Sequence, residues 1–254
     1  SAFSQTCFVG QAENPFTGTF DGKGHTLTVS LNDGDAKELG LFHTLDATAA
    51  VKNLTLAGSM TISKIDPVTA GTLAVFNNGA ALTGVTNTAA ITFSGLKTSS
   101  TMGNLGGLVG QAQGANVTIS RCYAGVTFKG SHDNSFFGGL VGSCEGGIIE
   151  NCYAIPDMTA VTAGSHGGIT SSTGGTIQNC YAAGAAFSGA GIAGNAANIS
   201  GSVSIFPEMR GSARIFSSSS SCIASKNYGF DGTIQRDSNG IVTPPAEQFA
   251  AGQA

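Results

Sequence analysis

The sequence predicts an all-β fold: a parallel β-solenoid of about eight coils with a cap at either end. Three observations predict it. Glycine supplies 38 of the 254 residues, about twice the usual ~7%, and breaks the chain every few positions. Thr, Ser, Asn, Val and Ile dominate between the glycines, a profile of strands and turns rather than helices. Two short motifs also recur at a nearly constant spacing, the mark of stacked repeats.

The first motif runs Val117-Thr-Ile-Ser-Arg-Cys122-Tyr123-Ala124-Gly125, then Ile149-Glu-Asn151-Cys152-Tyr153-Ala154, then Ile177-Gln-Asn179-Cys180-Tyr181-Ala182, with cysteines 30 and 28 residues apart. The second runs Gly106-Gly107-Leu108-Val109-Gly110, Gly138-Gly139-Leu140-Val141-Gly142 and Gly167-Gly168-Ile169, with second glycines 32 and 29 apart. Val51-Lys52-Asn53-Leu54 and Val85-Thr86-Asn87-Thr88 read as earlier copies of the first motif. Gly189-Ala190-Gly191-Ile192 reads as a later copy of the second, and Asn227-Tyr228-Gly229 as a last, degenerate Asn-Cys-Tyr-Ala.

One domain over 1–254 follows, taken in order along the chain. Residues 1–20 form the N-terminal cap and first strand, 21–230 the coils, and 231–254 the C-terminal cap and tail. No repeat buries its apolar side alone, and stacking gives all of them one continuous core. Roughly 30 residues per coil and a strand spacing near 4.8 Å make a rod of roughly 40 Å. The flanking glycines are expected to supply positive-φ corners. In Thr176–Gly184 the inward set is Ile177, Cys180 and Ala182, and the break in alternation at Asn179 marks a bend or bulge. Asn53, Asn87, Asn151 and Asn179 are expected to form an inward amide ladder. Thr233–Gly240 and the segment from Thr243 read as a closing hairpin or loop, and Ser217–Ser221 as a surface loop.

Charge excludes several functions. Lys and Arg number 11 against 15 Asp and Glu, a net of −4. No basic stripe exists to neutralise phosphates, so no nucleic-acid partner is expected. No apolar run reaches the ~18 residues of a spanning helix. The opening Ser1-Ala2-Phe3-Ser4 shows neither the basic nor the apolar region of a signal peptide.

The Gly-Gly-Leu-Val-Gly and Asn-Cys-Tyr-Ala motifs together resemble the GLUG repeat of bacterial surface and secreted proteins. Pro15-Phe16-Thr-Gly18-Thr-Phe20-Asp21-Gly22-Lys23-Gly24-His25-Thr-Leu27 resembles the segment that precedes such repeats, and Gly40-Leu41-Phe42 with Val51–Leu54 fits its first coil. The resemblance runs from about Phe16 to Phe230. It implies a single-stranded, right-handed β-helix outside a bacterial cell, adhesin-like, with a host or extracellular glycan or protein ligand. The repeat also accompanies metallopeptidases that cleave immunoglobulin A. This chain lacks His-Glu-x-x-His, so that zinc centre is not expected in it.

The chemistry-bearing residues support no enzyme, and no catalytic, cofactor-binding or metal site is assigned. Cys122, Cys152 and Cys180 share a register and should stack inward as reduced, small apolar groups. Cys7 and Cys222 lie near opposite ends, beyond the ~7 Å reach of a disulfide, and the sixth cysteine is Cys144. The histidines are His25, His43, His132 and His166; His25 falls in a turn, His132 and Asp133 fall in a polar loop, and His166 stacks behind Leu105 and Phe137. Glu150 aligns with Ser120 and Gln178, and Asp157 with Thr127 and Ala185, so no register holds the two acids a glycosidase needs. Asn32-Asp33-Gly34-Asp35 lacks the distal Glu of a calcium loop. Tyr123, Tyr153 and Tyr181 are expected to be buried at a corner with bonded hydroxyls. Stacking on an outer face is the alternative. Loops that differ between coils, chiefly Ser131–Ser135 and Asp157–Ser165, are where a ligand is expected. An accessory segment of a larger peptidase and a carbohydrate-active β-helix are the other readings.

Overall fold

The computed structural model describes residues 3–4, 9–32, 37–63, 68–93, 103–129, 135–158, 164–184, 186–210, 215–216, 223–229, 234–236 and 242–243. No helix occurs among them. A sheet of 21 strands, one of five and one of four account for the described strands. Every pairing is parallel except that of Ile234–Arg236 with Val242–Thr243, which is antiparallel. Strands pair with the equivalent strand one repeat on, which is the pattern of a β-solenoid. Cys7, Cys222, Asp33–Asp35, His132, Asp133, Ser217–Ser221 and most of 231–254 lie outside the described residues.

The first motif builds the large sheet. Ile119 pairs with Leu82 before it and Ile149 after it, and the register continues to Ile177 and Ile199. Val51 precedes Leu82, with Phe20 opposite it one coil earlier. From Val51 to Ile199 the six side chains are fully buried. Each burial stabilises by about 1.5–3 kcal/mol relative to exposure. The leucine of the second motif makes a parallel column, joined by backbone hydrogen bonds from Leu73 through Leu108, Leu140, Ile169 and Ile192 to Ile215. The five-stranded sheet stacks Leu39, Ala70, Leu105, Phe137 and His166 in one buried row. His166 therefore lies where its motif position predicts, edge-on to Phe137 at 5.3 Å.

At the N-terminal end, Phe3–Ser4 pairs in parallel with Val29–Ser30, and Thr19–Asp21 with Ala50–Lys52. Phe16 and Phe20 close on the fully buried Phe42, with ring centres 5.1 and 5.8 Å away. Asp21 orders the turn that follows: its carboxylate accepts from the Lys23 backbone and from the Asn53 amide at 2.9 and 3.1 Å. His25 belongs to this turn, its N–H reaching the Gly22 carbonyl.

Two expectations about corners are corrected. The glycine pairs of the second motif do not adopt positive φ; Gly107, Gly139 and Gly168 are absent from that region. They are needed because coils touch there. A Cβ on Gly107 would strike the Gly139 carbonyl oxygen, and one on Gly139 the Gly168 carbonyl oxygen. The left-handed corner instead sits one residue before the cysteine. Asn53, Gly84, Arg121, Asn151, Asn179, Gly201 and Lys226 all have φ between 51° and 62°, where asparagine and glycine are favoured. This is the bend that Asn179 signals.

The inward asparagine ladder is the second correction. Asn53, Asn151 and Asn179 are exposed, because a residue at a left-handed corner points its side chain away from the core. Asn87 is not in their register at all: it pairs with Leu56 and Ala124 and is fully buried. Its amide donates to the Gly107 carbonyl at 2.6 Å, and its oxygen accepts from the Ala89 N–H at 3.0 Å. The true equivalent of Asn53 in that coil is Gly84, between Thr83 and Val85. Likewise Lys226, not Asn227, holds the corner of the last copy.

Candidate functional site

Past each corner the strand resumes its alternation. The cysteine position turns inward and the next residue outward. Cys122, Cys152 and Cys180 are free, buried thiols in one column, as the register predicts. They do more than fill space. Each thiol donates to the carbonyl two residues earlier, Ser120, Glu150 and Gln178, at 3.1–3.3 Å. The Cys152 sulfur also accepts the Cys122 N–H at 3.3 Å. The bend pulls this N–H out of the ladder, and the coil above satisfies it. Ser202 and Asn227 continue the column in the same role, accepting the Cys180 and Ser202 N–H groups at 3.3 and 2.9 Å. The Cys152 thiol and then burial push Cys122 well above the ordinary thiol range. At Cys152 the contact with Cys122 pulls downward, but Cys180 and burial outweigh it and push the thiol up to about 12. Such thiols are poor nucleophiles and poor metal ligands at neutral pH.

The outward column is the chain's most distinctive surface. Thr26, Thr55 and Thr86 are followed in register by Tyr123, Tyr153, Tyr181, Val203 and Tyr228. All four tyrosines of the protein stand in this one column. The expectation of buried tyrosines is corrected: Tyr123 and Tyr153 are half-buried, while Tyr181 and Tyr228 are 39% and 54% exposed. The first three rings stack on each other, with centres 4.3 and 4.9 Å apart and planes within 26° and 9° of parallel. Burial, then the neighbouring phenols, raise the hydroxyl pKa of Tyr123, and burial, then Tyr153, that of Tyr181.

Stacking decides what the ladder offers a ligand. A sugar ring binds an aromatic through its C–H groups on the negative π face. Within the ladder those faces are spent on one another, and the Tyr123 ring lies with its hydroxyl over Gly125. The open faces are at the ends: that of Tyr123 towards Thr86, and that of Tyr181 towards the smaller Val203.

Polar rows flank the ladder across the corner. Gln178 donates to Glu150 at 2.8 Å, and Asn179 reaches Asn151 at 3.4 Å. Glu150 stands in register with Ser120 and Gln178, and Asp157 with Thr127. Ala185, the other partner expected for Asp157, lies outside the described residues. Glu145 likewise accepts from Gln111, at 2.8 Å. Glu150 and Glu145 thus each accept from a side-chain amide of a neighbouring coil. No group of three or more His, Cys, Asp or Glu that could hold a metal occurs among the described residues.

One cluster gives no signal in the sequence. His43, nearly buried, bonds the Thr44 hydroxyl through Nδ1 at 2.8 Å and the Glu38 carboxylate through Nε2 at 2.7 Å. The order hydroxyl, imidazole, carboxylate resembles a relay, but Thr44 is only 4% exposed. The cluster ties the strand Phe42–Leu45 to Glu38. The expected ligand loops fall mostly outside the described residues, at 130–134 and 159–163. No helix among the described residues is long and apolar enough to cross a membrane. No family model matches the chain, and neither does any curated protein or solved structure.

Proposed function

We propose that this chain is a GLUG-type, single-stranded, right-handed β-solenoid of about eight coils, capped at both ends, that acts outside the cell as a non-enzymatic binding module. One observation carries the reading. Outer residues of like kind recur in strict register over successive coils: Tyr123, Tyr153 and Tyr181 in one row, Asn151 and Asn179 in the next. A repeated lateral row at the strand spacing suits adhesion to an extended ligand with its own repeat, such as a polysaccharide. The paired amides around Glu150 and Glu145 leave those acids in structural contacts rather than in the facing pairs that hydrolysis needs.

The test is a glycan and extracellular-matrix array probed with the purified chain, together with a turnover assay on the same panel. Binding without turnover is the expected result. Turnover abolished by Glu150→Gln would make the protein an enzyme and overturn the reading, as would an array with no bound ligand.

A further inference from the structure

The tyrosine column has a missing rung. Tyr181, Val203 and Tyr228 occupy successive coils in register, so two exposed rings flank a much smaller side chain. The gap recurs one column over, at the corner. There Asn179 and Lys226 flank Gly201, which has no side chain and a φ of 58°. The pairings Gln178–Ser200–Ser225 fix this alignment on the near side of the corner. The Asn179 Oδ1 leans over Gly201, so the open notch lies at Val203 with this amide on its rim. Its floor continues into Ile205, itself 45% exposed.

We propose that this notch binds a pyranose ring carrying a carboxylate, a uronate unit of an acidic polysaccharide. The proposal rests on the binding-module reading and deepens it. Tyr181 and Tyr228 are two strand spacings apart, about 9.6 Å. A ring at the midpoint lies about 4.8 Å from each coil, within the 4.3–4.9 Å that separates the stacked tyrosines. The inward face of Tyr181, which no further tyrosine covers, meets the C–H face of the sugar.

The rim supplies the polar half of the match. Asn179 turns its Oδ1 over Gly201, 2.6 Å from where a Cβ would stand, placing an acceptor for a sugar hydroxyl. Ser200 and Ser225 add hydroxyls. Lys226 is exposed at the opposite wall. The stretches 178–183, 200–205 and 223–229 that form the notch contain no Asp or Glu. The notch is thus locally cationic on a chain of net charge −4, and this complementarity selects an anionic ring edge over a neutral one.

Trigalacturonate and its methyl-esterified form are the probes. Calorimetry gives affinity, and tyrosine fluorescence locates the event, since the chain has four tyrosines in this column and no tryptophan. The free acid is expected to bind, the ester to bind more weakly. Val203→Tyr, which completes the ladder, should weaken binding of the acid roughly tenfold or more. Lys226→Gln should remove the preference for acid over ester and the salt dependence with it. Gly201→Asn, whose Cβ displaces the Asn179 Oδ1 now 2.6 Å from that position, fills the rim of the notch independently should Val203→Tyr fail to fold. Wild-type protein that binds neither probe overturns the proposal. Binding that survives both filling variants also overturns it, while leaving the wider binding-module reading intact. That wider reading fails only on the array.

Discussion

At the scale of single residues, the cysteine column shows how a polar duty can hide behind an apolar look. Its inward position follows from spacing alone, since 28 and 30 residues return the chain to one register. Its hydrogen bonds do not, because they arise from a corner whose φ no alternation pattern encodes. The corner column is hidden for a related reason. Asn, Gly, Arg and Lys all occupy it, and only the backbone makes them equivalent. The elevated thiols carry a testable pH dependence. A pKa raised in the folded chain means that the native state keeps a proton which the unfolded state releases. The stabilisation is fully present below the ordinary thiol value of 9.0 and is lost as pH rises towards about 12 at Cys152. Urea midpoints should therefore fall between about pH 8 and about pH 10.5. The double variant Cys122→Ser, Cys152→Ser should flatten that fall, since Ser202 already shows serine serving the column. An unchanged slope would show that the thiols do not govern it.

At the scale of elements, two kinds of glycine look alike in the sequence and behave differently in the fold. Gly201 is there for its φ; Gly107, Gly139 and Gly168 are there because no Cβ fits between coils. The strands themselves were legible, because Ile119, Ile149 and Ile177 announce an inward row by spacing and type. The copy at Val85–Ala89 misleads, since its asparagine matches the motif by letter while the strand pairs three residues earlier. Gly139→Ala tests the close-contact reading. The added methyl meets the Gly168 carbonyl oxygen and lies 2.8 Å from the Ala154 Cβ, both fixed by neighbouring coils. Overpacking of this kind costs about 1–3 kcal/mol, to be read as a lower urea midpoint with unchanged m-value. Full tolerance would place the need for glycine elsewhere.

At the scale of the whole molecule, the parallel pairings make stability a sum of coil-to-coil contacts. The tyrosine ladder belongs to this scale too, because Tyr153 is held between the rings of Tyr123 and Tyr181. It was not legible as a surface in the sequence. Tyr next to Cys in a repeat fits either side of a strand until the corner fixes which one faces water.

The direction of the backbone hydrogen bonds has a mechanical consequence. Leu73, Leu108, Leu140, Ile169 and Ile192 pass their bonds from coil to coil, along the stacking direction. A pull on the two chain termini loads one coil interface at a time, as a zipper, instead of shearing many bonds together. Force–extension traces should then show a sawtooth of low, similar peaks. With coils from 22 residues (Ile177 to Ile199) to 37 residues (Leu82 to Ile119), each peak should release about 70–135 Å of chain. A single rupture that frees the whole length would mean that the coils yield together. A solenoid built this way gives up its outermost coil under tension and keeps the lateral rows of the remaining coils intact.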